Sequence, residues 1–126
     1  ASDSILWLFF IGFIQNFGGY MLETGGVLWT LGQHYRLTRD DAWVGRIKEH
    51  LLKACNFQIA WRRESMKEEQ RGRGYGMIKG KVADPEDHFH QFMLNAMGCG
   101  GLQRAGEMLQ NIAPEESQRL LDEAQK

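Results

Sequence analysis

The chain is poor in the residues that build β-structure from tight turns. It has only two prolines, Pro85 and Pro114, and no Asn-Gly or Asp-Gly pair in 126 residues, which argues against a sandwich or barrel of hairpins. Cysteine is equally scarce. Cys55 and Cys99 stand far apart with no C-x-x-C spacing, so neither a disulfide framework nor a zinc site is indicated, and both are expected as reduced core thiols. Charge of one sign is missing too. A formal net charge of −1 provides no global field for nucleic acid or an anionic membrane. The longest apolar run, Ile5 to Ile14, is ten residues long, where a membrane span needs roughly twenty. No basic region precedes it, which argues against a secretory signal and leans toward a cytoplasmic chain. The sequence also lacks G-x-S-x-G, a Walker A loop, H-E-x-x-H and G-x-G-x-x-G, the signatures of the common hydrolases, nucleotide binders and metalloproteases.

What remains is the pattern of an all-α domain. Val44, Ile47, Leu51, Ala54, Cys55 and Ile59 recur at three- and four-residue steps, placing one apolar stripe on a helix that ends near Arg62. Thr38 is placed to cap it, with Asp41 answering three residues on. Val27, Leu28, Leu31 and Tyr35 give a preceding helix, and the short link between the two predicts an antiparallel hairpin. The run around Trp7, Phe10 and Ile14 is apolar on every face, which fits a buried helix or a strand and is not decided by periodicity, with helix favoured. After Arg63 the composition shifts to SMKEEQRGRGYG, a long loop of the kind that often carries function.

Helix is expected to restart at Asp84-Pro85-Glu86-Asp87, with Asp84 as cap and Pro85 in the first turn. Phe89, Phe92, Met93, Ala96 and Met97 supply its apolar stripe. Gly98, Gly100 and Gly101 then either break the helix or mark a close backbone contact, and Leu102, Ala105, Met108, Leu109 and Ile112 resume the pattern. Pro114 opens a last helix with Leu120, Leu121 and Ala124 on its apolar side.

The densest polar cluster is residues 83 to 92, with three carboxylates and two imidazoles. His88 and His90 sit two apart, which on a helix points them to different faces, so no metal site is expected. Asp84 or Asp87 could act as acid or base if its pKa were raised by burial and a neighbouring carboxylate. The plain alternative is that Asp84 only caps a helix. The Arg62 to Tyr75 stretch mixes basic residues, glycine and one aromatic, but Glu64, Glu68 and Glu69 neutralise most of it, so a nucleic-acid partner is not expected.

The order of three segments adds a resemblance. GGVLWTLGQHYRLTRDDAWV, then IAWRRES, then GYGMIKGKVADPEDHFHQFMLNAMGCGGLQRAGEML resembles the catalytic domain of six-hairpin glycosidases, the (α/α) toroid family. His34, Tyr35, Thr38, Asp40, Arg63, Gly76, Met77, Gly80, Asp84, Asn95, Gly101, Leu102 and Ala105 carry the match, over roughly residues 20 to 110. Arg39 stands where that family usually has glycine, and Lys79 near a usual proline. The resemblance implies a carbohydrate substrate, no cofactor, and Asp84 as general acid or substrate contact, with Asp87 second. It implies sugar contacts at Trp61, Arg62, Arg63 and Tyr75, and at His88 in the acidic stretch. Six hairpins need twelve helices and four or five are legible, so the chain is expected to be part of a larger toroid, inactive alone, and to self-associate or meet the remaining helices. A helical interaction module without catalysis is the rival expectation.

Overall fold

A computed structural model describes residues 23 to 81 and 89 to 126. Expectations that fall on residues 1 to 22 and 82 to 88, including the apolar N-terminal run as helix or strand, a helix start at Asp84 with Asp84 as its cap, and Asp84, Asp87 and His88 as site residues, lie outside the described residues. The described part is all-α, as its periodicity indicates. Helix α1 is Glu23–Thr38, α2 is Asp41–Arg63, α3 is Phe92–Leu109 and α4 is Pro114–Ala124, with one 3₁₀ turn at Glu68–Gln70. Among the described residues there is no strand, only an isolated bridge between Gly80 and Phe89, and no helix is long and apolar enough to cross a membrane.

The four helices form two hairpins with a defined relative direction. Gly25 faces Met97 and Gly98, Gly32 faces Arg104, and Arg36 pairs with Glu107 through two 3.0 Å hydrogen bonds. These contacts advance together along both chains, so α1 and α3 are parallel. The same holds for α2 and α4, where Asn56 accepts from Arg119 at 2.9 Å and Arg62 pairs with Glu123 at 3.1 Å. Within the second hairpin the order reverses: Ser117 Oγ donates to Gly106 O, and Cys99 Sγ donates to Ala124 O. Leu28, Val44, Leu51, Leu102, Met108, Leu109 and Leu120 fill the core between the hairpins. Asp41 ties both turns, accepting from Tyr35 Oη at 2.7 Å and Asn111 Nδ2 at 3.1 Å. The Asp41 hydrogen bond, followed by burial, holds the Tyr35 hydroxyl above its ordinary pKa.

Three local expectations need correction. The cap of α2 is Asp40, whose carboxylate accepts from Trp43 N at 2.9 Å, whereas Thr38 closes α1 and donates back to His34 O. The cause is Arg39, which takes a left-handed φ of 53° and turns the chain one residue later than a Thr38 cap requires. A left-handed residue just past a helix end is where glycine is most favoured. Arg39→Gly is therefore expected to stabilise the chain by about 0.5–1 kcal/mol, read as a raised urea midpoint, even though the Arg39 guanidinium lies 5.6 Å from the Tyr35 ring centre.

The second correction concerns α3. It starts at Phe92, because residues 89 to 91 before it are not helical: Phe89 is engaged by Gly80 (N–H to O, 3.0 Å) and Gln91 is extended. The first part of the anticipated stripe is not its core face: Phe89, Phe92 and Met93 are exposed and Leu94, Gly98 and Gly101 are buried instead, whereas Leu102, Ala105, Met108 and Leu109 farther along are buried as expected. Third, only one cysteine is a core thiol. Burial pushes Cys55 up to about 12, and Cys99 is exposed.

Candidate functional site

The loop after α2 is held in shape by its glycines and by two side chains from elsewhere. Gly72, Gly74 and Gly76 all have positive φ, the conformation that favours glycine. At Gly74 a side chain is excluded twice over, since its Cβ would fall 2.6 Å from the His90 ring. Asn95 of α3 then treats the loop as a strand would: Ile78 N–H donates to Asn95 Oδ1 at 2.7 Å and Asn95 Nδ2 donates to Ile78 O at 3.0 Å. Arg62 Nε donates to Gly76 O at 2.8 Å. Two residues beyond Ile78, the Gly80 bridge to Phe89 closes the chain, so the two described ends of residues 82 to 88 are pinned together.

Beside that closure lies a groove of about 420 Å³ lined by Trp61, Glu64, Ser65, Lys67, Gln70, Lys79 and His90. Its floor is the mostly buried Trp61, packed on Ile78, Leu94 and Phe57. Its rim carries both signs of charge, amide and hydroxyl, a lining that offers donors and acceptors around one aromatic face. Among the described residues no cluster of His, Cys, Asp and Glu is arranged to hold a metal.

The sequence-derived site residues within the described chain do not converge. Trp61 lines the groove. Arg62 points to the other side of α2, against a second cavity of about 160 Å³ that it shares with Gln58, Asn95 and Glu123. Arg63 is largely exposed and lies 3.6 Å from Glu123. Tyr75 stacks under the Arg71 guanidinium, 4.6 Å from its ring centre. The groove residues Glu64, Ser65, Gln70, Lys79 and His90 carry no spacing signal that would have singled them out. Asn95 did fall in the motif order, without a role.

Glu123 is the electrostatic centre of the second cavity. Burial works to raise its carboxyl, but the Lys126 hydrogen bond and the charges of Lys126, Arg62 and Arg63 prevail and hold it below the usual carboxylate range. A carboxyl depressed in the fold contributes stability above its unfolded pKa and loses it as pH falls through the folded one. Urea midpoints measured from neutral to strongly acidic pH should therefore drop, and Glu123→Gln should make that drop smaller while lowering the midpoint at neutral pH. Gln58 Oε1 is buried at this cavity without a protein partner, a position ordinarily completed by ordered water.

No family model, curated protein or solved structure matches this chain.

Proposed function

We propose that the chain is a carbohydrate-active segment of a six-hairpin, (α/α) toroid glycosidase, in which carboxylate acid/base hydrolysis takes place in the assembled ring. The observation that carries this reading is the direction of the helices. A ring or solenoid of hairpins repeats one operation, so first helices of successive hairpins run parallel and second helices do likewise. The two hairpins here have that relation, α1 with α3 and α2 with α4. Arg39 adds support, because the position at which the family usually carries glycine is the one described non-glycine residue with positive φ.

The groove floored by Trp61 supplies a place for sugar, since aromatic faces pack on sugar rings while the polar rim satisfies hydroxyls. It is lined by Lys79 and His90, which flank in sequence the stretch that contains Asp84 and Asp87. The remaining helices of the ring are its partners.

The test is an oligosaccharide titration followed by NMR on the Trp61 indole N–H and the His90 ring. Sugars are expected to shift both signals, and His90→Ala to weaken the response at Trp61. If no oligosaccharide in a broad panel shifts either signal, and the longer chain containing this segment hydrolyses no glycoside, the reading fails.

A further inference from the structure

The cavity of about 160 Å³ beside Arg62 has on its wall a polar group that the fold leaves unmatched. Gln58 is 2% exposed, and its Oε1 accepts no hydrogen bond from the described chain. A buried amide oxygen without a donor is costly, yet the chain makes room for this one. Gly98, also on the wall, has no side chain where the Gln58 amide sits, and a Cβ there would overlap Gln58 Nε2. The two ends of the amide have the same shape, so a half-turn about its last bond lets either meet an occupant of the cavity. What is missing is a hydrogen-bond donor from outside the chain.

The charges around the cavity narrow the class of that donor. Glu123 lies 3.1 Å from Arg62, 3.6 Å from Arg63 and 3.1 Å from Lys126, so three cations meet one carboxylate. The carbonyl ends of α2 and α4 fall at the same place and together offset about one positive charge, which leaves the balance positive. Arg62 also has donors to spare. Its bonds to Gly76 O and Glu123 Oε2 use only part of the five-donor guanidinium, and its Nη2 lies 3.4 Å from where a Cβ of Gly76 would stand. Ile78 and Leu102 add apolar wall.

We infer that this cavity is a binding site for a small hydroxy acid: its carboxylate meets Arg62 and Lys126, its hydroxyl donates to Gln58 Oε1, and its short carbon chain lies on Ile78 and Leu102. Water alone would satisfy Gln58 and leave the excess of positive charge. A plain carboxylate would answer the charge and leave Gln58 unpaired, whereas a hydroxy acid does both. Size agrees. A cavity of about 150 Å³ holds benzene, and lactate has as many non-hydrogen atoms as benzene. Entry is open as well, because Cys99 and Lys126 at the cavity are exposed.

The experiment titrates the full chain with lactate, propionate and lactamide at fixed ionic strength and follows the Gln58 side-chain amide and the Arg62 Nε–H by NMR. Propionate lacks the hydroxyl and lactamide lacks the charge. Lactate is expected to shift both signals and to bind at least about fivefold more tightly than either analogue, the loss expected when one buried polar partner is left unmade. Equal affinity for propionate, equal affinity for lactamide, or no shift with lactate through the millimolar range each overturns the proposal. In a second arm, Gln58→Met keeps the length of the side chain without its polar atoms. This variant should fold, because it removes an unpaired buried group, and it should bind lactate and propionate alike. A variant that still prefers lactate overturns the proposal equally. The signals belong to Gln58 and Arg62 rather than Trp61 and His90, and the ligand is not a sugar, so the result is independent of the glycosidase reading.

Discussion

Gly101→Val should destabilise the protein by about 1–3 kcal/mol or more, although glycine is the worst ordinary residue for the interior of a helix. A Cβ at Gly101 would lie 2.8 Å from Gly25 O and 3.1 Å from Gly25 Cα. The reverse contact is as tight, with a Cβ at Gly25 2.7 Å from Met97 O. In both cases the obstacle is backbone, which cannot rotate aside as a side chain can, so α1 and α3 must separate and loosen the core around Leu28 and Leu102. Replacing glycine within a helix returns only about 0.5–1 kcal/mol, less than the overpacking removes. Gly45 is the internal control. It is exposed in α2, its Cβ would meet nothing within 4 Å, and Gly45→Ala should stabilise by up to about 1 kcal/mol. Urea denaturation of the three proteins should therefore move midpoints in opposite directions. A double variant at Gly25 and Gly101 should cost less than the sum of the singles, because once the helices have parted for one side chain the second meets less resistance.

The glycines also show why α3 was only partly legible from sequence. Periodicity counts apolar side chains, and in the first turns of α3 it picks out Phe92, Met93 and Met97. The face that packs on α1 is instead written in glycine, which has no hydropathy signal; the choice between a helix break and a close contact depended on where Gly25 stood in space. Helix α2, by contrast, was readable along nearly its whole length because its stripe is aliphatic and its partners fill that stripe. Its first residue was displaced because three side-chain oxygens, from Thr38, Asp40 and Asp41, compete to cap, and the backbone at Arg39 decides among them. The site was the least legible part. Trp61 and Arg62 are adjacent in sequence, yet one floors a groove and the other binds Gly76 O and Glu123 across α2. Contacts between positions as distant as Arg62 and Glu123, or Ile78 and Asn95, follow no local spacing, so composition placed a loop there without saying what holds it.

The largest functional effect is expected at Asp84. In the longer glycosidase chain that the proposed function requires, Asp84→Asn should lower kcat by about 10²–10⁴-fold, the usual worth of a positioned general acid or base, with KM changed little. Asparagine suits this test because it keeps the size and caps a helix about as well as aspartate, yet it can neither give up nor take the proton. Loss of turnover without loss of stability then isolates proton transfer. Asp84→Ala adds the complementary measurement: if the residue serves only as a cap, alanine should cost about 0.5–2 kcal/mol while turnover by the folded fraction stays near that of the parent. Asp87→Asn should have the smaller kinetic effect of the two. Glycoside hydrolysis ordinarily uses a second carboxylate about 5–10 Å from the first, and in the proposed ring that partner comes from helices beyond this segment. The present chain alone should therefore bind sugar and not cleave it, and measurable hydrolysis by the 126 residues alone would place both carboxylates within them and overturn the division of the site across the ring.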